Sequence, residues 1–268
     1  MTQRDRLEAT RRKRRGQAIV EGTGPSAKVE RDYLRSLEKV RAEMLKQAKD
    51  ELYPLIRSIE RHEVVQDGFL SAVASVLLGI STRVTNLIGR WSESNIPAIY
   101  ATDFVRKADE VSNHSFSSGF DKAVGHPPPP SPTPESFVAA KIQENVSLIK
   151  TIPERYFRDI EKAVSRRVSE EIDEAELVQA LKDIFEQSEH NAKRIARDQT
   201  SKITSAINER RYRAAGVTSY IWRTQEDERV RKAHADRNGK EFSIDSEPLP
   251  GHEINCRCIM AGVVTSKR

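Results

Sequence analysis

The sequence predicts a mostly α-helical protein that ends in a small α+β module, and three observations lead there. Before residue 216, apolar residues recur at spacings of three and four through long charged stretches, the pattern of amphipathic helices. Aromatic residues are only 6% of the 268, so Leu, Ile, Val and Ala must build most of the core. Strand signals gather after residue 216: an apolar start at Tyr220-Ile221-Trp222, then an Asn238-Gly239 turn ahead of Glu241-Phe242-Ser243-Ile244. An Asn-Gly pair between extended segments favours a hairpin because both central positions tolerate positive φ.

Residues 1–27 read as a flexible basic arm. Arg11-Arg12-Lys13-Arg14-Arg15 is a run of five cations with nothing apolar to bury. Such a run suits salt-sensitive contact with DNA phosphates, and equally a solubilising tail.

Residues 28–125 read as a helical domain, an antiparallel hairpin or bundle. Leu34, Leu37, Val40, Met44 and Ala48 form the first stripe, and Pro54 is expected to kink or divide that helix. A second helix from about Phe69 to Arg90 turns Val73, Val76, Leu77, Ile80, Val84, Leu87 and Ile88 inward. A third, from Ile96 or Pro97 to Asp121, does so with Ile99, Phe104, Val105, Ala108 and Phe116. Trp91 reads as a packing anchor at the junction.

The run from His126 to Pro134 holds six prolines and favours polyproline II, so residues 126–134 are expected to act as a stiff linker. Helices resume over 135–215. Glu135 to Ile152 is one, Pro153 is expected to open the next, Glu174 to Phe185 is a short third, and Glu189 to Ala215 a long basic fourth capped by Gly216. The α+β module then spans 216–264.

Composition narrows the function. The chain is 37% hydrophobic and 32% charged with a formal net charge of +5, compatible with contact to nucleic acid or to acidic protein surfaces. The longest apolar run, Phe69 to Ile80, is interrupted by two serines and a glycine and is too short to span a bilayer, so no membrane role is expected. Two cysteines and no secretory signal point to a reducing compartment. No glycine-rich phosphate loop or serine-centred elbow appears, and no small-molecule substrate is implied.

The chemistry is concentrated near the C-terminus. Cys256 and Cys258 are two apart, so in an extended strand both thiols face one side. With His252 and a folded-back His234 they permit a tetrahedral Cys2His2 shell for structural zinc. The alternative is a metal-free turn in which the histidines bond the backbone and the cysteines are buried as small apolar groups. A Cys256–Cys258 disulfide would close a strained ring. Asp227, Arg231 and His234 would share one face of a helix, and with His252 they allow a second chemistry, a metal-dependent nuclease or hydrolase. An ion-paired turn explains the same residues.

The pattern Trp222-Arg223-Thr224, Asp227, Arg229-Val230-Arg231, His234, Gly239, Pro250-Gly251-His252 and Asn255-Cys256-Arg257-Cys258 resembles the signature of the phage Mu F-like minor head proteins. Upstream, Arg194 to Thr200 with Ile207-Asn208 is similar to the helix preceding that signature, and Asn145 to Ile152 is similar to its opening. The resemblance covers about residues 135–264, and departs from many members in having Arg197-Asp198-Gln199 where they have Arg-Thr-Glu. It implies a non-catalytic, low-copy component of the virion, in the head interior or at the portal vertex, made in the host cytoplasm. It would act in head assembly and in DNA packaging or delivery. Implied partners are portal, major capsid or scaffold proteins and packaged double-stranded DNA. Within the motif, Trp222, Asp227, Arg231, Gly239, Asn255 and Arg257 take structural roles.

Overall fold

A computed structural model describes residues 17–62, 69–169, 171–246 and 248–265. The basic run Arg11–Arg15 therefore lies outside the described residues. In chain order the elements are β1 (Gln17–Val20), α1 (Ala27–Gln47), a π turn (Ala48–Leu52), α2 (Tyr53–His62), α3 (Phe69–Glu93), α4 (Ile96–Val124), α5 (Glu135–Val168), α6 (Glu174–Ala214), β2 (Ser219–Arg223), α7 (Lys232–Ala235), β3 (Glu241–Ser243) and β4 (Ile259–Thr265). The expected class, mostly α with a small C-terminal sheet, is what the chain adopts.

The chain forms two compact units, one of residues 1–29, 105–138 and 197–268, the other of 30–104 and 139–196. Their boundaries fall inside helices α1, α4, α5 and α6. The units are thus interleaved along the chain instead of following one another across the proline run. That run joins α4 to α5 within the first unit, where the Thr133 hydroxyl donates to Asp109.

Among the described residues, the second unit is helical apart from short connections. Tyr33, Leu37, Val40, Met44, Ala48 and Leu52 are buried along α1 and its continuation, as are Ile80, Val84, Leu87 and Trp91 on α3. Trp91 is anchored as expected, 4% exposed with its indole N–H donated to Gln47. Tyr33 stacks on Phe104 with centroids 3.8 Å apart. The backbone widens to the π turn just before Pro54, whose ring nitrogen has no proton to give, so the expected kink takes the form of a local bulge.

Three expectations are corrected in the helices. Pro153 does not open a helix but lies inside α5. An interior proline costs about 3 kcal/mol, and burial of Ile149, Ile152, Tyr156, Phe157 and Ile160 around it outweighs that at about 1.5–3 kcal/mol per large side chain. The break expected between Phe185 and Glu189 is absent too, and α6 runs unbroken for 41 residues. Ser188 there accepts the Arg41 Nε–H at 3.0 Å, and buried Arg41 also stacks on the Phe185 ring. Ile99 is 61% exposed, not inward. Along α5 Asn145 is buried: its side chain accepts from the Tyr33 hydroxyl and donates to the Lys141 carbonyl, so a polar group takes a core position at no unpaired cost.

The first unit holds the sheet, four antiparallel strands in the order β1-β4-β2-β3. The strand β1 lies in the segment expected to be a flexible arm. It pairs Gln17 to Val20 with β4, and Val20 is fully buried, which four arm residues with one apolar alternation did not announce. The β2–β3 pairing is as expected, but the connection runs over 224–240 and carries α7, with Gly239 (φ +75°) at its end donating its N–H to the Trp222 carbonyl. Helix α6 packs beneath through Tyr212, whose one hydroxyl proton is shared between the carbonyls of Val20 and Met260. A β-carbon at Gly262 would stand 2.4 Å from the Tyr212 ring, so only glycine lets β4 pass there.

Candidate metal centre

Helix α6 fixes the 250–258 loop through one face. Asp198, Ser201 and Ser205 are spaced three and four apart and all are buried. Asp198 accepts the Asn255 N–H at 2.9 Å, Ser201 donates to the Cys256 carbonyl, and Ser205 donates to the Pro250 carbonyl. Gly251 crosses α6 with φ +84°, where a β-carbon would stand 2.7 Å from that of Ser205. Asn255 adopts φ +57°, a left-handed conformation that Asn tolerates better than most residues. The loop is thereby bent so that Cys256 and Cys258 enter the core beside Trp222, Tyr212 and Met260.

Helix α7 brings His234 to the same place. Its Nδ1 is 3.6 Å from Cys256 Sγ and 3.5 Å from Cys258 Sγ, and the three side chains are at most 5% exposed. The Trp222 ring meets the imidazole edge-on at 5.2 Å. The far nitrogen, Nε2, faces Glu253 Oε2 at 3.1 Å, and Arg231 braces that carboxylate at 3.0 Å while donating to the Ile254 carbonyl. The Gly251 N–H donates to Cys256 Sγ. The two thiols share charge unequally. Their mutual hydrogen bond lowers the Cys256 thiol below its ordinary value and pushes Cys258 upward.

His252 is a correction to the four-ligand shell. It does not join the cluster, and its Nε2 stands 3.8 Å from Glu209 on α6. The bend at Pro250-Gly251 turns it aside while Cys256 is drawn inward. Asp227 is committed elsewhere: Arg257 grips both its oxygens at 2.7 and 2.6 Å, which holds its carboxyl below the usual range. The Asp227, His234 and His252 set of the nuclease reading is thus divided among three different partners. Asn238, before Gly239, accepts the Thr224 N–H and donates to Glu226, closing the loop that carries α7.

The basic row of α6 is largely engaged inside the protein. Arg211, 4% exposed, pairs with Asp109 at 2.8 Å; Arg213 bridges Glu209 and Asp245; Lys202 pairs with Asp198; Arg210 lies over the Phe137 ring. Sequence reasoning missed Glu253, Ser201 and Ser205, and took Asp198 only as a motif variant. The last three had a legible signal, small polar residues at helical spacing; Glu253 had none, because its partner is 19 residues away.

Comparison with known proteins agrees with the motif. Residues 158–261 match the family described as Phage Mu protein F like protein. An uncharacterized protein of Haemophilus influenzae is 34% identical over 138 residues, covering 50% of this chain and 31% of its own length. The chain thus spans under a third of that relative. No solved structure matches significantly.

Proposed function

With a Mu F-like segment over residues 158–261 as premise, we propose that the protein is a non-catalytic minor head protein, inside the head or at the portal vertex, acting in head assembly and DNA packaging or delivery. The family match is the observation that supports this reading. The construction of the C-terminal module fits it, because its motif residues are spent on holding the loop: Asn255 and Cys256 on α6, Arg257 on Asp227, Arg231 on Glu253. Partners of this reading are portal, capsid or scaffold proteins, with packaged DNA reached through the basic N-terminal run.

The test is to separate heads from tails in the phage that encodes the chain and to quantify it by mass spectrometry. The expected result is its presence in heads at a small fraction of the major capsid protein. Its absence from heads, with normal DNA-filled particles when its gene is deleted, would sink the proposal. The competing nuclease reading predicts divalent-metal-dependent phosphodiester cleavage that disappears in Asp227→Asn.

A further inference from the structure

Two sulfurs stand at nearly equal distances, 3.6 and 3.5 Å, from a single nitrogen, His234 Nδ1. A neutral imidazole has one lone pair, so it accepts a hydrogen bond from one thiol; the Cys256–Cys258 contact draws the sulfurs together, but their nearly equal distances to that nitrogen need another cause. A metal at the centre of the triangle supplies it. With Zn–S of about 2.3 Å and Zn–N of about 2.0–2.1 Å at the tetrahedral angle, the S···N edge is about 3.5–3.6 Å. The surroundings suit that state: Glu253 sits on Nε2 and leaves Nδ1 as the donor, and the Gly251 N–H points at Cys256 Sγ, as thiolate sulfur favours.

We propose that His234, Cys256 and Cys258 hold one zinc ion whose fourth position opens on an adjoining cleft and takes water or a small anion. Among the described residues, these three alone bring His, Cys, Asp or Glu donor atoms to within 4.8 Å of one another. Glu253 lies on the opposite nitrogen of the ring, so it orients His234 and does not ligate. The three donors line a cleft of about 190 Å³ together with Arg197, Arg229, Arg231 and Arg257. The described residues that line it include these four arginines and no carboxylate, a setting that favours an anionic fourth ligand. Soft thiolates with one imidazole select zinc over magnesium or calcium, and both cysteines bind as thiolates. This site stands apart from the reading of the protein as a head component.

The experiment begins with elemental analysis of the full chain purified under reducing conditions. One zinc per chain is expected, lost in His234→Ala and Cys258→Ser and kept in His252→Ala. Reduced wild-type protein that takes up no added zinc overturns the site, and loss of zinc in His252→Ala overturns the three-ligand shell. Because a lost ligand can also unfold the module, the open position is read on wild-type protein with cobalt(II) in place of zinc. Azide should shift the visible cobalt bands; bands indifferent to azide mean a closed shell and overturn the open position. Glu253→Gln should keep the two-thiolate cobalt spectrum with affinity lower by roughly 10–100-fold, and unchanged affinity removes the orienting role.

Discussion

At the residue scale, side chains that look like catalytic candidates are held in ion pairs and hydrogen bonds. Asp227 shows this best: Arg257 grips its carboxyl and lowers its pKa in the folded state. A depressed carboxyl stabilises above the unfolded value and loses that contribution as pH falls through the folded one. Asp227→Asn should therefore lower the melting temperature at neutral pH, and the gap to wild type should close as the pH drops below about 4. A gap that persists in acid would assign the loss to packing instead of charge. Tyr212 joins two strands through one shared hydroxyl proton, so Tyr212→Phe should cost about 1 kcal/mol, read by denaturant titration. Gly262→Ala puts a methyl against that ring and should cost about 1–3 kcal/mol, unless the ring retreats.

At the element scale, helix starts were easier to read than helix interruptions. Asp173 and Glu176 form a reciprocal capping box at the start of α6, each side chain accepting the other's N–H at 2.8 Å. Asp173→Ala should cost about 0.5–2 kcal/mol of stability, measured by thermal unfolding followed at a helical signal. Interruptions were misjudged at Pro153 and near Ser188, because local propensity argues for a break and burial from elsewhere in the unit overrides it. The strand β1 changes how the basic arm must be tested. A deletion meant to probe Arg11–Arg15 has to stop at residue 16, since removing Gln17–Val20 takes away a strand and a buried valine. Deleting 1–16 should weaken DNA binding and flatten its salt dependence while the melting curve stays put; a salt slope unchanged by the deletion would dismiss the arm as a DNA contact.

At the scale of the whole molecule, the chain by itself determined the class, the place of the strands after residue 216 and the gathering of candidate thiol and imidazole donors in the last fifth of the residues. Those features follow from local chemistry: periodicity writes helices, an apolar-aromatic start with Asn-Gly writes strands, and a two-residue spacing puts both thiols on one side. Tertiary structure alone decided which donors meet. His234 is chosen and His252 turned aside because Asp198, Ser201 and Ser205 on α6 bend the loop at Gly251 and Asn255, a constraint between residues some fifty positions apart. It likewise drew residues 17–20 into a sheet with the C-terminus and interleaved the two units along the chain. Pairings of this kind depend on long-range closure of the backbone, and no local pattern of residues records it.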